Sequence, residues 1–554
     1  ENRGISWTSN SDFQAAYYNY LKADGFVKGD APRPDKDARQ KTSGLKDIGL
    51  MDEERNVTAA GRALLAISKK GDFTPDNLLE IPKDSYIFLK QLLKTANDVD
   101  GSIVRPFVVF LSLASRLSYL TYEEFTYLLP LCVDRETTER VAAEIRRCRE
   151  GNQGVDDIIL SVLMKKENYR AALELLLAEP VTEDLICTVG INRKSKVYDK
   201  PYYTIYRELE RIVFDRDGSA PVRLLAATSK LTNSKVGGAW RKLLFKVSTE
   251  ASAKNRRLDV MNDIPLLRAA DEAAFKREFF RAMHLIKAKA TLSDYFDLNR
   301  RYFKVTDVVI FEDGKVCLDV LPKCFFAEAG EELTDLAFRR CAQLEEDVPL
   351  EAIAPCLAVE PARLYARLSR EVGVAVTDSA AAKQVLKARR YARFDRMVEA
   401  RFTKEVLSRL FEMFRLRQDG EIHRLVTDNA DIPTIYEYIT AIAWYRISGC
   451  KGDVLEYMNL SLEADLLPRT HAGGGEADIV WKYGATDHYP AHTLLIEATL
   501  SDGSGQRRME MEPVSRHLGD YRLAHGDEEA YCVFTSTNVN YNVISDFRLR
   551  RDMV

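Results

Sequence analysis

Two acidic residues near the C-terminus, Asp478 and Glu497, are candidates to bind one metal ion together. Asp478 lies beside the apolar residues 479–481 and Glu497 lies within the apolar residues 494–500, so each is predicted on or next to a β-strand. The two acids are 19 residues apart, which lets adjoining strands bring both carboxylates to one side of a hairpin. Oxygen ligands of this kind suit Mg²⁺, which usually keeps several waters. A bound Mg²⁺ can polarise a phosphodiester oxygen, generate hydroxide and stabilise the leaving oxygen.

Three further polar residues are candidates for the same site. Glu437 is predicted on a helix that is apolar on most sides, where a carboxylate needs a partner or a metal. Glu510 and His517 are seven residues apart on a predicted helix after the second strand, so they share one face. Ordinary alternatives remain, because surface helices carry residues such as Glu510 and His517 routinely. A lone Asp at a strand entry, like Asp478, is usually a turn residue, and a lone Glu in a strand, like Glu497, is often an edge-strand solubility device.

The elements that must position these residues form a simple order. A helix begins at Asp431 with a proline just inside it, which is favourable at a helix start. Two strands, a second helix, a third strand and a last helix follow. This order resembles the topology of an α/β nuclease core. The predicted ranges after the first helix are 476–482, 493–500, 506–523, 530–535 and from about 539.

These segments resemble a known family. Asp478 followed by Glu497-Ala498-Thr499 resembles the PD-(D/E)XK nuclease core. Residues 495–500, 506–510 and 512–518, which read LIEATL, QRRME and EPVSRHL, resemble the AlwI family of type IIS restriction endonucleases. That family includes strand-nicking relatives and has an N-terminal recognition half and a C-terminal cleavage half. The resemblance is clearest in the C-terminal part of the chain and looser before it.

The resemblance implies a role for each candidate. Asp478 and Glu497 would bind Mg²⁺, for which Mn²⁺ can substitute, and Glu437 would complete the acidic set. Glu510 and His517 match further polar positions of the family's site. These five residues are therefore the predicted catalytic set.

One position departs from the broader nuclease pattern. Thr499 stands where a lysine is usual. The group that orients the attacking water is therefore left open. The candidates are Lys482, Gln506, Glu510 and His517.

The N-terminal region predicts a winged helix-turn-helix. A predicted helix around Arg39, Gln40 and Lys41 is followed by a short strand at 49–51, a polar tip and another helix from Ala59. In such domains a helix enters the major groove while wing residues reach phosphates. Arg and Lys suit guanine edges and Gln suits adenine, so these three residues are candidate base contacts. The alternative is that they are ordinary solvated helix residues.

Two loops in the middle of the chain are candidates to grip a phosphate backbone. Residues 192–203 interleave tyrosines with Arg193, Lys194 and Lys196, and residues 228–235 place Lys230 and Lys235 among Ser, Thr and Asn. Basic residues supply the electrostatic attraction and neutral side chains add hydrogen bonds. A charge-rich surface loop without a ligand is an equal alternative for each.

Length and composition predict a folded, multidomain protein. The 554 residues exceed what one core normally supports, and 46% hydrophobic with 30% charged residues is typical of a folded chain. We predict a DNA-recognition subdomain with the winged helix over 1–165, a second recognition subdomain and linker over 166–390, and a nuclease domain over 391–554. The fold class is therefore a mainly α-helical recognition region plus a C-terminal α/β PD-(D/E)XK-like domain.

Charge, cysteine content and hydropathy exclude some classes of protein. The net charge of −4 does not exclude DNA binding, because basic residues can cluster on one surface. The nine cysteines form no Cys-x-x-Cys pair, which argues against a zinc site or disulfide framework and favours a reducing, prokaryotic cytoplasm. No run of about 18 apolar residues occurs, so no membrane span is expected.

These observations predict a site-specific endonuclease acting on double-stranded DNA at a fixed offset from a short sequence. One metal cluster cuts one strand, so a double-strand break requires a homodimer, a second cleavage subunit or a second binding event. Without one of these the enzyme nicks. Two alternatives remain, a non-catalytic winged-helix DNA-binding regulator and a structure-specific repair nuclease.

Overall fold

The computed structural model describes residues 6–27, 29–99, 101–151, 154–192, 194–254, 264–471, 476–526 and 528–551. Arg193, one of the predicted DNA contacts, lies outside these ranges. The described residues are mainly helical and contain four small sheets. This agrees with a multidomain chain that combines a helical region with an α/β region.

The first part of the chain consists of helices joined by short hairpins. Its helices and strands, in order, are α1 (Ser11–Ala23), α2 (Pro34–Asp47), α3 (Ala59–Lys70), α4 (Lys83–Lys94), β1 (Asn97–Val99), β2 (Ser102–Val104), α5 (Pro106–Leu117), β3 (Leu120–Thr121), α6 (Arg135–Arg149) and α7 (Val155–Leu163). Side-chain caps set three of the starts, because Asn10, Thr58 and Asp134 accept hydrogen bonds from the first turns of α1, α3 and α6.

Between α2 and α3 the chain makes a small hairpin. Met51 and Val57 form an isolated antiparallel bridge. Asp52 closes the polar tip by accepting a hydrogen bond of 2.8 Å from the Asn56 backbone. The predicted order of helix, hairpin and helix is therefore present, with a single bridge in place of two strands. Its assignment as a winged helix-turn-helix stays a prediction.

The next part is helical, and its helices are α8 (Glu167–Ala178), α9 (Glu183–Val189), α10 (Pro201–Glu210), α11 (Ala220–Thr228), α12 (Ser234–Phe245), α13 (Glu250–Lys254) and α14 (Glu272–Ser293). Their buried apolar residues between Leu176 and Ala290 form one cluster, which we call the helical core. Both basic loops predicted from the sequence lie on this unit, before α10 and between α11 and α12.

The chain then returns to pack against its first part. The elements are α15 (Phe296–Lys304), β4 (Val309–Glu312), β5 (Lys315–Leu318), α16 (Val320–Glu328), α17 (Glu332–Leu336), α18 (Leu350–Ile353), α19 (Pro361–Val372) and α20 (Ser379–Arg401). Buried residues between Ile48 and Leu163 join those between Phe303 and Ala382 in one cluster, the central core. The strand β3 of the first part also pairs with β5 of this later part, so the two parts share a sheet.

The last part is the α/β region. Its elements are α21 (Lys404–Arg415), α22 (Asp419–Leu425), α23 (Ile432–Ile447), α24 (Val454–Tyr457), β6 (Leu460–Leu462), β7 (Pro468–His471), β8 (Ile479–Tyr483), β9 (His492–Thr499), α25 (Gly503–His525), β10 (Ala530–Ser536) and α26 (Tyr541–Arg551). Buried residues between Phe394 and Ala498 form its principal cluster, the C-terminal core. The predicted helix, hairpin, helix, strand and helix are all present in that order, but α24 and the β6–β7 hairpin, which were not predicted, lie between the first helix and the predicted hairpin.

The central and C-terminal cores meet at a buried ion cluster. Lys304, at the end of α15, contacts Glu463 and Asp465 between β6 and β7, with 2.6 Å from its Nζ to Asp465 Oδ2. All three side chains are almost fully buried. The helix α20 also joins the two cores, since Ala382 packs in the central core and Phe394 in the C-terminal core. The three-domain division stays a prediction.

None of the helices in the described ranges combines the length and apolarity needed to cross a membrane.

Candidate active site

A three-stranded sheet, in the order β10-β9-β8, carries the two principal carboxylates. The strand β8 is antiparallel to β9 and pairs Ile479 with Ile496. Asp478, immediately before β8, therefore lies beside Glu497 on β9. Its Oδ2 accepts a hydrogen bond of 2.7 Å from the backbone N–H of Ala498. The hairpin predicted from the spacing of the two acids is thus present and brings them together.

Glu497 is held by a histidine on the following helix. His517 Nδ1 lies 2.8 Å from Glu497 Oε1, and both side chains are largely buried. Because Nδ1 is engaged by the carboxylate, Nε2 is the ring nitrogen that can take up a proton. A carboxylate that fixes an imidazole in this way also sets its orientation.

One face of α25 points at the same end of the sheet. Glu510 lies two helical turns before His517, and its Oε1 accepts a hydrogen bond of 2.6 Å from Thr499 Oγ1. Val514, which shares this face, is buried. The seven-residue spacing therefore places Glu510 and His517 as expected, because residues two turns apart project from the same side of a helix.

Glu437 reaches the acidic group from α23. Asp431 caps this helix by accepting a hydrogen bond of 3.0 Å from the N–H of Thr434, and Pro433 occupies the first turn. The helix is buried on most sides and packs on β9. Within the described chain, Glu437 Oε2 is buried without a hydrogen-bond partner.

The carboxylates raise one another's proton affinity. Burial first, and then the charges of Asp478, Asp431, Glu497 and Glu510, raise the pKa of Glu437 to about 9. Burial also raises the pKa of Asp478 to about 7, although the hydrogen bond from Ala498 opposes this. Burial raises the pKa of Glu497 against the opposing effect of His517. Such perturbed carboxylates grouped around one point are typical of functional sites.

The donor set fits a hard divalent cation. Among the residues that the structure describes, no three His, Cys, Asp or Glu side chains are already arranged as a metal site. Mg²⁺ is often bound by only one or two carboxylates and completes its shell with water. Asp478 and Glu497 are the adjacent pair that meets this requirement, and a cation beside them would offset their mutual repulsion.

Two of the four candidates for orienting water do not suit that role. Lys482 pairs with Thr493 across the hairpin, four residues along β9 from Glu497 and therefore about 13 Å away. Gln506 is fully buried, and its amide is bonded to Ser501, Ser536, Asn538 and Asn540. Glu510 and His517 remain.

The sequence matches the model of one known protein family. A family model described as AlwI restriction endonuclease matches residues 46–554, from the end of α2 through the acidic site to the end of the chain. The chain belongs to the AlwI restriction endonuclease family. It is a restriction endonuclease, and so a type II deoxyribonuclease. No curated protein gives a significant match to it.

The predicted DNA contacts of this AlwI-family enzyme are spread over two units. On α2, Gln40 and Lys41 are exposed, whereas Arg39 hydrogen-bonds Gln14 and pairs with Asp35. Arg39 is therefore partly committed to holding α1 and α2 together.

The remaining predicted contacts lie on the helical unit. Lys194, Lys196 and Lys230 are exposed, and Lys235 is exposed but pairs with Asp294. These positions are accessible to DNA, and contact with DNA stays a prediction for each of them.

Sequence reasoning did not single out two groups near the acidic site of the AlwI-family enzyme. The backbone N–H of Ala498 fixes Asp478, and Asp431 adds a negative charge near Glu437. Asp431 was recognisable only as a helix start. Its position beside the acids depends on how α23 packs on the sheet.

Proposed function

We propose that this AlwI-family enzyme is a Mg²⁺-dependent type IIS endonuclease of the PD-(D/E)XK kind, which hydrolyses DNA at a fixed offset from a short recognition sequence. The observation that carries the proposal is the pairing of Asp478 with Glu497, with the buried carboxylate of Glu437 beside them. If these acids served only in structural ion pairs, a lysine or an arginine would be expected beside them. Within the described residues, the only ion-pair partner of the acidic group is His517, which contacts Glu497.

In this proposal Asp478 and Glu497 hold the metal, and Glu437 completes the acidic set. The bound Mg²⁺ supplies Lewis-acid polarisation of the phosphate and stabilisation of the leaving oxygen. Mn²⁺, which also accepts oxygen ligands, would substitute for it. His517 takes the proton of the attacking water at Nε2, since Glu497 occupies Nδ1. Glu510 fixes Thr499 and supplies a second acceptor at the same end of the sheet.

Recognition and cleavage are divided between parts of the chain. Sequence readout needs contacts with base edges, whereas hydrolysis needs only the backbone. We assign readout to the part before α20, including the exposed Gln40 and Lys41 of α2. One acidic site cuts one strand, so cutting both requires a homodimer, a second subunit or a second binding event. The expected location is the prokaryotic cytoplasm, where the DNA substrate is found.

A plasmid cleavage assay with Mg²⁺ tests the proposal, comparing the unaltered enzyme with Glu497→Ala. The matched control is Glu512→Ala, because Glu512 is exposed on α25 and, within the described residues, its one ion pair is with Arg516. We expect discrete fragments or nicks from the unaltered enzyme and from Glu512→Ala, and none from Glu497→Ala or in the presence of a chelator. Run-off sequencing of the ends would give the site, the offset and the strand.

Each other outcome identifies a different function. Cutting without sequence preference would indicate a structure-specific repair nuclease. Sequence-specific binding without cutting, under Mg²⁺ and Mn²⁺ alike, would indicate the non-catalytic regulator. Cutting by Glu497→Ala at the normal rate would place the active site elsewhere.

A further inference from the structure

A cavity of about 860 Å³ lies where the central core, α20 and the C-terminal part meet. We call it the junction cavity. Its walls come from residues 74–82, from the segment between β5 and α16, from α20 and from residues 455–466. Its size is within the range of small-molecule sites in proteins. The cleavage chemistry proposed above uses none of its residues.

Most charged side chains that line the junction cavity neutralise one another. Each of four cations has a carboxylate within ion-pair distance. These pairs are Lys323 with Glu371, Lys383 with Glu80, Lys387 with Glu456, and Arg393 with Glu312. Such pairs leave little net charge in the wall.

Three arginines of α20 are different. Arg389, Arg390 and Arg396 line the cavity. Over the ranges that the structure describes, none of them forms a hydrogen bond or an ion pair. Arg389 and Arg396 are two helical turns apart and so share a side of α20. Each guanidinium group has about five N–H donors. In this one cavity, the donors of all three groups are therefore without a protein acceptor among the described residues.

Arg390, like Arg389 and Arg396, is exposed to solvent and lines the cavity. Enough protein surrounds it that burial lowers the pKa of its guanidinium, although Asp307 and Asp319 oppose this. Asp307 and Asp319 also line the cavity, but in the described chain neither forms a hydrogen bond or an ion pair with Arg390. Asp307 accepts a hydrogen bond from Ser85, and Asp319 caps α16. A guanidinium that bonds none of the described protein groups, with two others beside it, is free to bind an anion that enters the cavity.

We propose that the junction cavity binds a phosphate group through Arg390, with Arg389 and Arg396 beside it. The planar guanidinium binds phosphate oxygens in pairs, and three such groups match the charge of a phosphate better than that of a single carboxylate. The phosphate has two sources, a free phosphorylated compound or the DNA backbone. Because α20 joins the two cores, a ligand here would also contact both.

Titration calorimetry with pyrophosphate tests the site on the full-length protein without metal or DNA. Arg390→Met removes the charge, and Arg363→Met is the matched control, since Arg363 is exposed on α19 and does not line the cavity. We expect Arg390→Met to weaken pyrophosphate binding about tenfold or more, the loss expected for a charge-assisted hydrogen bond. The unliganded variant should melt no lower than the unaltered protein. If it fails to fold, Arg390→Lys, which keeps the charge but loses the planar fork, should also weaken binding.

A second arm uses fluorescence anisotropy with duplex DNA to separate the two sources. If DNA supplies the phosphate, pyrophosphate will compete with the duplex, and Arg390→Met will lower the salt dependence of DNA binding by about one charge. If a free compound is the ligand, pyrophosphate and duplex will bind independently. The proposal is wrong if Arg390→Met changes neither pyrophosphate nor DNA binding, and that result would leave the cleavage proposal untouched.

Discussion

At the scale of single residues, Glu437 gives the clearest indication of chemistry. Its Oε2 is buried without a hydrogen-bond partner in the described chain, and burial together with the nearby carboxylates raises its pKa to about 9. Buried polar atoms are nearly always hydrogen-bonded in native proteins. An apolar residue at this position would stabilise the fold better, so retention of the acid fits a role in binding a cation.

His517 should be important for cleavage. If Nε2 takes the proton of the attacking water, His517→Ala will lower the single-turnover cleavage rate by about 10²- to 10⁴-fold. His525→Ala, near the exposed end of α25, serves as the control and should cleave normally. Equal rates for His517→Ala and the unaltered enzyme would contradict this prediction. If, in that case, Glu510→Gln showed the loss expected for His517→Ala, Glu510 would be the group that takes the proton.

Asp307 should make stability depend on pH. Burial raises its pKa from 3.8 to about 6, so between about pH 4 and pH 6 the folded state keeps a proton that the unfolded state loses. Stability therefore falls as pH rises through this window, by about 3 kcal/mol in total. Asp307→Asn should remove this change, since Asn also tolerates the positive φ of 53°.

The check is thermal unfolding of Asp307→Asn and the unaltered protein at several pH values. We expect the variant to melt higher at pH 7.5 and equally at pH 4. A difference in melting temperature that does not vary with pH would show that the Asp307 carboxyl titrates normally.

At the scale of elements, the helix α23 and the hairpin β8–β9 are each specified locally. The Asp431-Ile-Pro start predicts the helix, and the structure begins it at Ile432 with Asp431 as the cap. The two predicted strands form the antiparallel hairpin. Local sequence succeeds here because caps and short hairpins involve neighbours in the chain.

Asp431 should matter to α23 through its cap. Asp431→Ala removes the acceptor for the Thr434 N–H and should destabilise the protein by about 1 kcal/mol. Asp431→Asn keeps an oxygen acceptor and should be nearly neutral. Urea unfolding followed by far-UV circular dichroism would compare them. Equal loss in both variants would mean that the charge of Asp431, rather than its cap, is what stabilises the helix.

At the scale of the whole molecule, buried charges join parts that are far apart in the chain. Lys304 of the central core is enclosed with Glu463 and Asp465 of the C-terminal part. Burial alone would lower the pKa of Lys304, but the two carboxylates together raise it. Arg469 and Asp84 form another link, with 3.2 Å between Nη2 and Oδ2. These contacts hold the two cores in one arrangement.

Breaking the Lys304 cluster should loosen this arrangement. Lys304→Met leaves two buried carboxylates without their cation and should destabilise the protein by about 3–5 kcal/mol. The triple variant Lys304→Met, Glu463→Gln, Asp465→Asn removes all three charges and should recover part of the loss. Calorimetric unfolding with limited proteolysis would measure both. A Lys304→Met protein as stable as the unaltered one would show that the cluster does not join the cores.

The sequence by itself determined the acidic pair, the hairpin that carries it, the seven-residue spacing of Glu510 and His517, and the family. It did so because strand alternation, helix periodicity and caps depend on residues close together in the chain. Only the tertiary structure decided that Glu437 is buried among the acids, that Lys482 lies too far away, and that Gln506 is already bonded.

The packing of residues 303–382 with 48–163, and the junction cavity between the cores, were also decided only by the tertiary structure. Such contacts join segments separated by hundreds of residues. They depend on shape and on the pairing of buried charges across the whole fold, which no local pattern records.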